Sequence, residues 1–295
     1  MSESSMTRRD FLRTTAAAAV VGTAGISLLA QPDAQKKANV VLIRHQHVVD
    51  SEGKLNPKIL EEMFDESMAT FFRTKNAGDA WKKIVKPGDV VGIKTNVWRY
   101  LRTPLELEQV MKTRIMAVGV QEKDIAIDDR GILSNPVFAR ATALINVRPM
   151  RAHNWSGVGG CLKNYIMFTP NPPDYHPDSC IDLGALWKLP AVEGKTRLNV
   201  LLMLTPQFHC LGPHHFDKQF TWAYNGIIVG TDPVAVDAVG LKIIEAQREL
   251  FFKEDSPMRP PVRHIKAAEE KHGIGIANLA AIEIVRLGWK EDSLI

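Results

Sequence analysis

Residues 224–247 read YNGIIVGTDPVAVDAVGLKIIEAQ, and this stretch decides the fold class. Asn225-Gly226 opens it, and 227–229 is a short β-branched run that suits a buried strand. Gly230-Thr231-Asp232-Pro233 is a helix start. Thr231 or Asp232 caps free N–H groups there, and Pro233 suits the first helical position. The helix that follows is apolar nearly all round for about three turns, which predicts burial. Asp237 breaks the pattern among Val234, Ala235, Val236, Ala238 and Val239. A buried carboxylate is costly unless paired or ligated. Its spacing puts it on the face of Pro233 and Gly240, where a glycine lets another backbone come close. Asp237 is therefore expected to meet a cation: Lys94, Lys163 or a metal.

The same alternation extends outward in both directions. Strands are expected at 39–43, 90–93, 124–127, 143–147, 198–204 and 281–285. Helices are expected at 57–72, 79–85, 103–118, 135–142, 181–187 and 264–271. This order predicts an α/β fold with a mainly parallel sheet flanked by helices. Two lobes, roughly 35–150 and 195–295, would be joined by long irregular loops. Residues 153–177 are rich in Gly, Pro, Asn and His without a period, which in a compact domain marks function or disorder. Trp155, Tyr165, Phe168 and Tyr175 predict order there.

A chain of 295 residues, 45% of them hydrophobic, can bury a sizeable core. The net charge of +4 is mild, and Lys and Arg are mixed with acids, so there is no electrostatic footprint for nucleic acid. Thr7-Arg8-Arg9-Asp10-Phe11-Leu12-Arg13 resembles the twin-arginine export motif, and a soft Ala/Gly-rich run follows at 14–30. A signal segment over 1–34 predicts export of the folded protein to the periplasm or another extracytoplasmic space, with the twin-arginine machinery as partner. Ala30 and Ala34 are the cleavage candidates. No stable membrane span is expected unless the leader stays uncleaved. Cys161, Cys180 and Cys210 fit no zinc knuckle and no iron–sulfur run, and one disulfide would leave one thiol over.

The predicted strands share a polar ending. Lys94-Thr95-Asn96 follows one, and Asp128-Asp129-Arg130 another. Arg148, Arg151 and His153 follow a third, and Thr205, Gln207 and His209 a fourth. Thr231 and Asp232 follow the strand of the opening stretch. In a parallel sheet the carboxyl ends share one edge, and ligands bind there. Any one of these residues is more simply a polar loop or a cap; together they predict one cleft. Lys94, Asn96, Asp129, Arg130, Arg151, Asn164, Thr231 and Asp232 would contact a small-molecule substrate. His153 would be the acid–base group, since its ordinary pKa lies near working pH. Lys163 and Asp237 would complete the catalytic set.

Three chemistries compete for that cleft. His209-Cys210, His214-His215 and Asp217 offer donors that suit a metal ion such as zinc, iron or copper, though without a standard ligand spacing. Lys94, Arg130, Arg151 and Lys163 would instead hold an anion against the helix start at Thr231-Asp232-Pro233. Asp232 and Asp237 oppose that unless they are paired. Gly157-Val158-Gly159-Gly160 is too loose a match to a phosphate loop to add weight. Third, Cys161 would be a nucleophile with His153 or His209 as base, against the plainer role of a small packed residue.

Val91-Gly92-Ile93-Lys94-Thr95-Asn96, Arg151-Ala152-His153 with Leu162-Lys163-Asn164, and Asn225 with Asp232, Pro233, Ala235, Asp237 and Ala238 resemble motifs of the domain-of-unknown-function 362 family. The likeness spans roughly 40–244. Arg151 stands where that family usually has Lys; it keeps the charge but cannot act as a base. Some relatives carry ferredoxin-type cysteines, and this chain has none. The resemblance implies a shared site more than a reaction. The expectation is an exported, redox or metal-assisted enzyme acting on a small molecule. The alternative is a non-catalytic metal- or anion-binding or maturation protein for an exported partner.

Overall fold

The computed structural model describes residues 37–253 and 256–295. The signal segment expected over 1–34 lies outside them. One eight-stranded, mostly parallel sheet organises the chain, in the order β3-β2-β4-β6-β7-β1-β8, with β5 pairing on β4. The strands are β1 (Ala38–Arg44), β2 (Val91–Lys94), β3 (Ile125–Asp128), β4 (Ala143–His153), β5 (Gly157–Gly159), β6 (Thr196–Gln207), β7 (Gly226–Gly230) and β8 (Ile282–Gly288). Both stretches expected as lobes contribute to this sheet: β1 lies between β7 and β8.

The period of two is visible in the two cores. Ile227 and Val229 of β7 face one side, and Ile228 the other. On the first side pack α1 (Pro57–Phe71), α2 (Ala77–Ile84) and α3 (Leu105–Ala117), through Leu60, Phe64, Trp81, Leu107 and Met111. On the second side lie α4 (Pro136–Ala139), α5 (Cys161–Asn164), α6 (Pro233–Phe252) and α7 (His264–Glu270), through Phe138, Leu162, Val239, Ile243 and Ile265. A sheet covered on both faces needs apolar residues at successive positions, which is why its strands read as near-continuous hydrophobic runs.

Two differences from the sequence expectation shape the site. First, β4 runs on past Val147 to His153. Pro149 is tolerated because the register with β6 shifts between Pro149 and Arg151, leaving the missing N–H at an irregularity. Second, β7 is antiparallel to both β6 and β1. Its carboxyl end therefore points away from the edge where β2, β3, β4 and β6 end, so the five polar strand ends do not share one cleft. Thr103, ahead of α3, does not cap it; its hydroxyl accepts the Asn96 N–H at 3.2 Å. Within 153–177, β5, α5 and 3-10 turns replace the expected irregular loop.

Candidate functional site

The carboxyl ends of β2 and β3 bring Lys94 and Asp129 together at 2.5 Å, both buried. Burial works against ionisation of Asp129, but the Lys94 ammonium outweighs it and holds the carboxyl below its usual range. Burial in turn pulls Lys94 down to about 8, with Asp129 opposing. Asn164 locks the pair into the sheet. Its amide donates to Lys94 O at 3.1 Å, Asn146 Oδ1 at 2.8 Å and Val147 O at 3.2 Å, and its Oδ1 accepts from Lys94 Nζ at 3.2 Å. Asn146 passes the chain of bonds on to Asn199 at 3.0 Å. A polar network this deep is stable only when its members are satisfied.

Asn164 reaches that position because α5 is held from outside. Asp237, fully buried on α6, accepts the Cys161 N–H at 2.6 Å and the Leu162 N–H at 2.9 Å. The carboxylate thus caps another element's helix start. The expected cation at Asp237 is replaced by these two N–H groups, with Arg148 acting only at longer range. Burial raises the Asp237 pKa to about 7, against the two N–H bonds. Gly160 has no room for a side chain, since a Cβ there would collide with the Asp237 carboxylate. Gly240 admits the Leu201 side chain, where a Cβ would come within 2.5 Å, so its neighbour is a side chain and not a backbone.

Beside this frame lies a group of cations. Arg148, Arg151 and Lys163 form no ion pair with any carboxylate among the described residues. Arg148 Nε has only a long bond to Pro149 O, at 3.4 Å. Arg151 Nη1 donates to Ala152 O at 3.2 Å, its Nε has no partner, and its guanidinium lies over the Trp98 ring at 3.9 Å. Lys163 Nζ meets only Cys180 Sγ, at 3.5 Å. Burial, with the neighbouring Arg148, draws Arg151 down to about 9. For Lys163 burial is again the main cause, and it sits at about 8. Gly159 makes space for the group: a Cβ there would be 2.8 Å from Arg148 Nη2 and 3.4 Å from His153 Cδ2.

Histidines complete the surroundings. His153 Nδ1 accepts the Trp155 N–H at 3.2 Å, so a neutral ring presents Nε2–H as a donor. Burial, then Arg151, Lys163 and Arg148, hold His153 well below its ordinary pKa. His264, at the start of α7, is fully buried, and neither ring nitrogen has a partner. Burial and the Lys163 and Arg148 charges push it down to about 3, so it too is neutral.

Arg148 and His264 are missing from the substrate and catalytic sets that the sequence suggests. Arg148 was legible in outline, as the first of the polar residues that follow the strand expected at 143–147. For His264 no sequence signal exists, because a distant helix delivers it.

Other sequence candidates fall elsewhere. Asn96 closes a loop, its Oδ1 accepting from Trp98 N at 3.3 Å. Arg130 is exposed. Asp232 caps its own helix, accepting from Val234 N at 2.8 Å and Ala235 N at 3.0 Å, and Thr231 O accepts from Asn199 at 3.1 Å. The Cys161 thiol is driven well up in pKa by burial and by Asp237, which disarms it as a nucleophile.

The donors expected for a metal do not gather either. His209 Nδ1 is taken by Arg248 Nη1 at 3.0 Å, and His215 Nδ1 accepts from Leu211 N at 3.4 Å. His214 turns toward Trp155, and Cys210, like Cys161 and Cys180, is a free thiol. Among the described residues no three His, Cys, Asp or Glu side chains form a group that fits a metal ion. Residues 107–242 match the family described as Domain of unknown function (DUF362), which supports a domain of that family over this stretch. No curated protein and no solved structure matches the chain.

Proposed function

We propose, on the premise of a DUF362 domain over residues 107–242, that this protein binds a small anion of the carboxylate or phosphate class through Arg148, Arg151 and Lys163. One observation carries the reading: three cations sit in or at the edge of the core with no carboxylate in ion-pair contact, Arg148 feeling Asp129 and Asp237 only at longer range. An uncompensated buried charge is destabilising, and an anionic ligand removes that cost. Lys94 is already spoken for by Asp129, so it shapes the floor and is not a free binding group. Arg151 is the outermost of the three, only partly buried, and marks the way in.

Any proton transfer to or from the bound anion would fall to the groups beside it. His153 offers Nε2–H as a hydrogen-bond donor, and Lys163, at about 8, is the group whose proton is most easily exchanged near neutral pH. We also propose export by the twin-arginine route, on the strength of Thr7 to Arg13 and the soft run after it. The ligand reading is tested by thermal unfolding with inorganic phosphate, oxalate and citrate, against chloride at equal ionic strength. A raised midpoint that saturates with one of the anions is expected. Unfolding that follows ionic strength alone, for every anion, would defeat the reading.

A further inference from the structure

The cation group is ringed by aromatic side chains that neither core uses. Tyr100 stacks on Phe216 with centroids 4.8 Å apart and planes 5° apart. Trp98 meets the two edge-on, at 5.1 and 6.1 Å, and carries Arg151 on its face. Beyond Arg151, Trp155 stacks on His176 at 4.3 Å, and His153 lies 5.7 Å from Trp155. The loop between β6 and β7 joins the two sides, because His214 stands edge-on to Trp155 at 6.3 Å and Phe216 is two residues on.

From this rim we infer that the bound anion is flat and conjugated: a carboxylate borne on an aromatic or similarly planar ring system. The inference rests on the anion-binding reading and narrows its substrate class. Trp155 is 38% exposed although its ring is large and apolar, whereas the Tyr100 ring is covered by Phe216 and by the Arg99 guanidinium at 4.4 Å. An exposed ring gains from burial against another ring, by offset or edge contact. A ring carrying an acid would satisfy both features at once, its face or edge against Trp155 and its carboxylate on Arg151 and Arg148. A saturated acid of the same charge would use only the cations. Loop packing alone would account for Trp98, which is buried, and for Tyr100, whose ring is covered by Phe216 and Arg99, but leaves Trp155 exposed.

The test uses the full chain and two probes of equal charge and carbon skeleton, naphthoate and its fully hydrogenated counterpart, with inorganic phosphate as reference. Calorimetry is expected to show naphthoate binding about tenfold tighter than the saturated acid. It should also quench tryptophan fluorescence. Trp155→Leu should erase that preference and leave phosphate binding unchanged, while Trp155→Phe retains it. Equal affinity for the two acids, or a preference that survives Trp155→Leu, overturns the planar-ligand inference with the anion site intact. Absence of binding by all three probes overturns the anion reading and this inference together.

Discussion

Asp237 accepts the backbone N–H of Cys161 at 2.6 Å across 76 positions of sequence. Through that bond and its twin to Leu162, α6 sets the position of α5, and α5 carries both Lys163 and Asn164. The carboxylate is a positioning group. Its removal should be felt as loss of structure around Lys163 as well as loss of stability. Asp237→Ala leaves two buried N–H groups without acceptors, at a cost of about 2–4 kcal/mol. Urea unfolding should show the loss, and hydrogen exchange at Cys161 and Leu162 should quicken. Unchanged exchange at these amides would contradict the role.

The same carboxyl makes stability fall with pH. Its folded pKa is raised to about 7, so the folded chain holds this proton more tightly than the unfolded chain does. The associated stability is complete below about pH 4, where the unfolded carboxyl titrates, and is lost as pH rises through about 7. Urea midpoints between about pH 5 and 8 should decline in the parent protein, and the decline should be shallower in Asp237→Asn. A parallel decline in both would place its source elsewhere.

Lys163 works in the opposite sense and in a higher window. Its folded pKa is lowered to about 8, so stability is gained as pH rises above that value and lost as pH falls through it. Lys163→Met removes a buried charge of similar length. It should raise ligand-free stability by about 1–2 kcal/mol and abolish the midpoint shift with anions. A destabilised variant that still responds to anions would refute the assignment.

Glycine at 159 separates folding from binding. A methyl group there meets the end of Arg148 at 2.8 Å, a side chain that can swing aside. Gly159→Ala should cost about 1 kcal/mol and lose most of the anion response. Gly160→Ala drives its methyl into Asp237, which has no freedom to move, and should cost about 3 kcal/mol or more. Circular dichroism melts with and without phosphate distinguish the two patterns.

Export has its own readout. Arg8→Lys combined with Arg9→Lys should leave the chain in the cytoplasm, as cell fractionation with an antibody would record. Normal export of that variant would remove the twin-arginine route.

Local signals were enough for the α/β class, the buried Asp237 and the strand ends of β2 and β3. Apolar period, caps and turn residues are properties of neighbours in sequence, and they survive folding unchanged. Strand direction is not such a property. The run 227–229 reads alike in a parallel or an antiparallel place, so only pairing with β6 and β1 sent Thr231 and Asp232 away from the site. Polarity alone also cannot tell a ligand-binding group from a structural one. Asp237 and Asn164 serve backbone and network, while Arg148, Arg151 and Lys163 are left with charge to spare. That division is set by which partners the tertiary structure brings within hydrogen-bonding distance, and His264 enters the site only because α7 packs beside it.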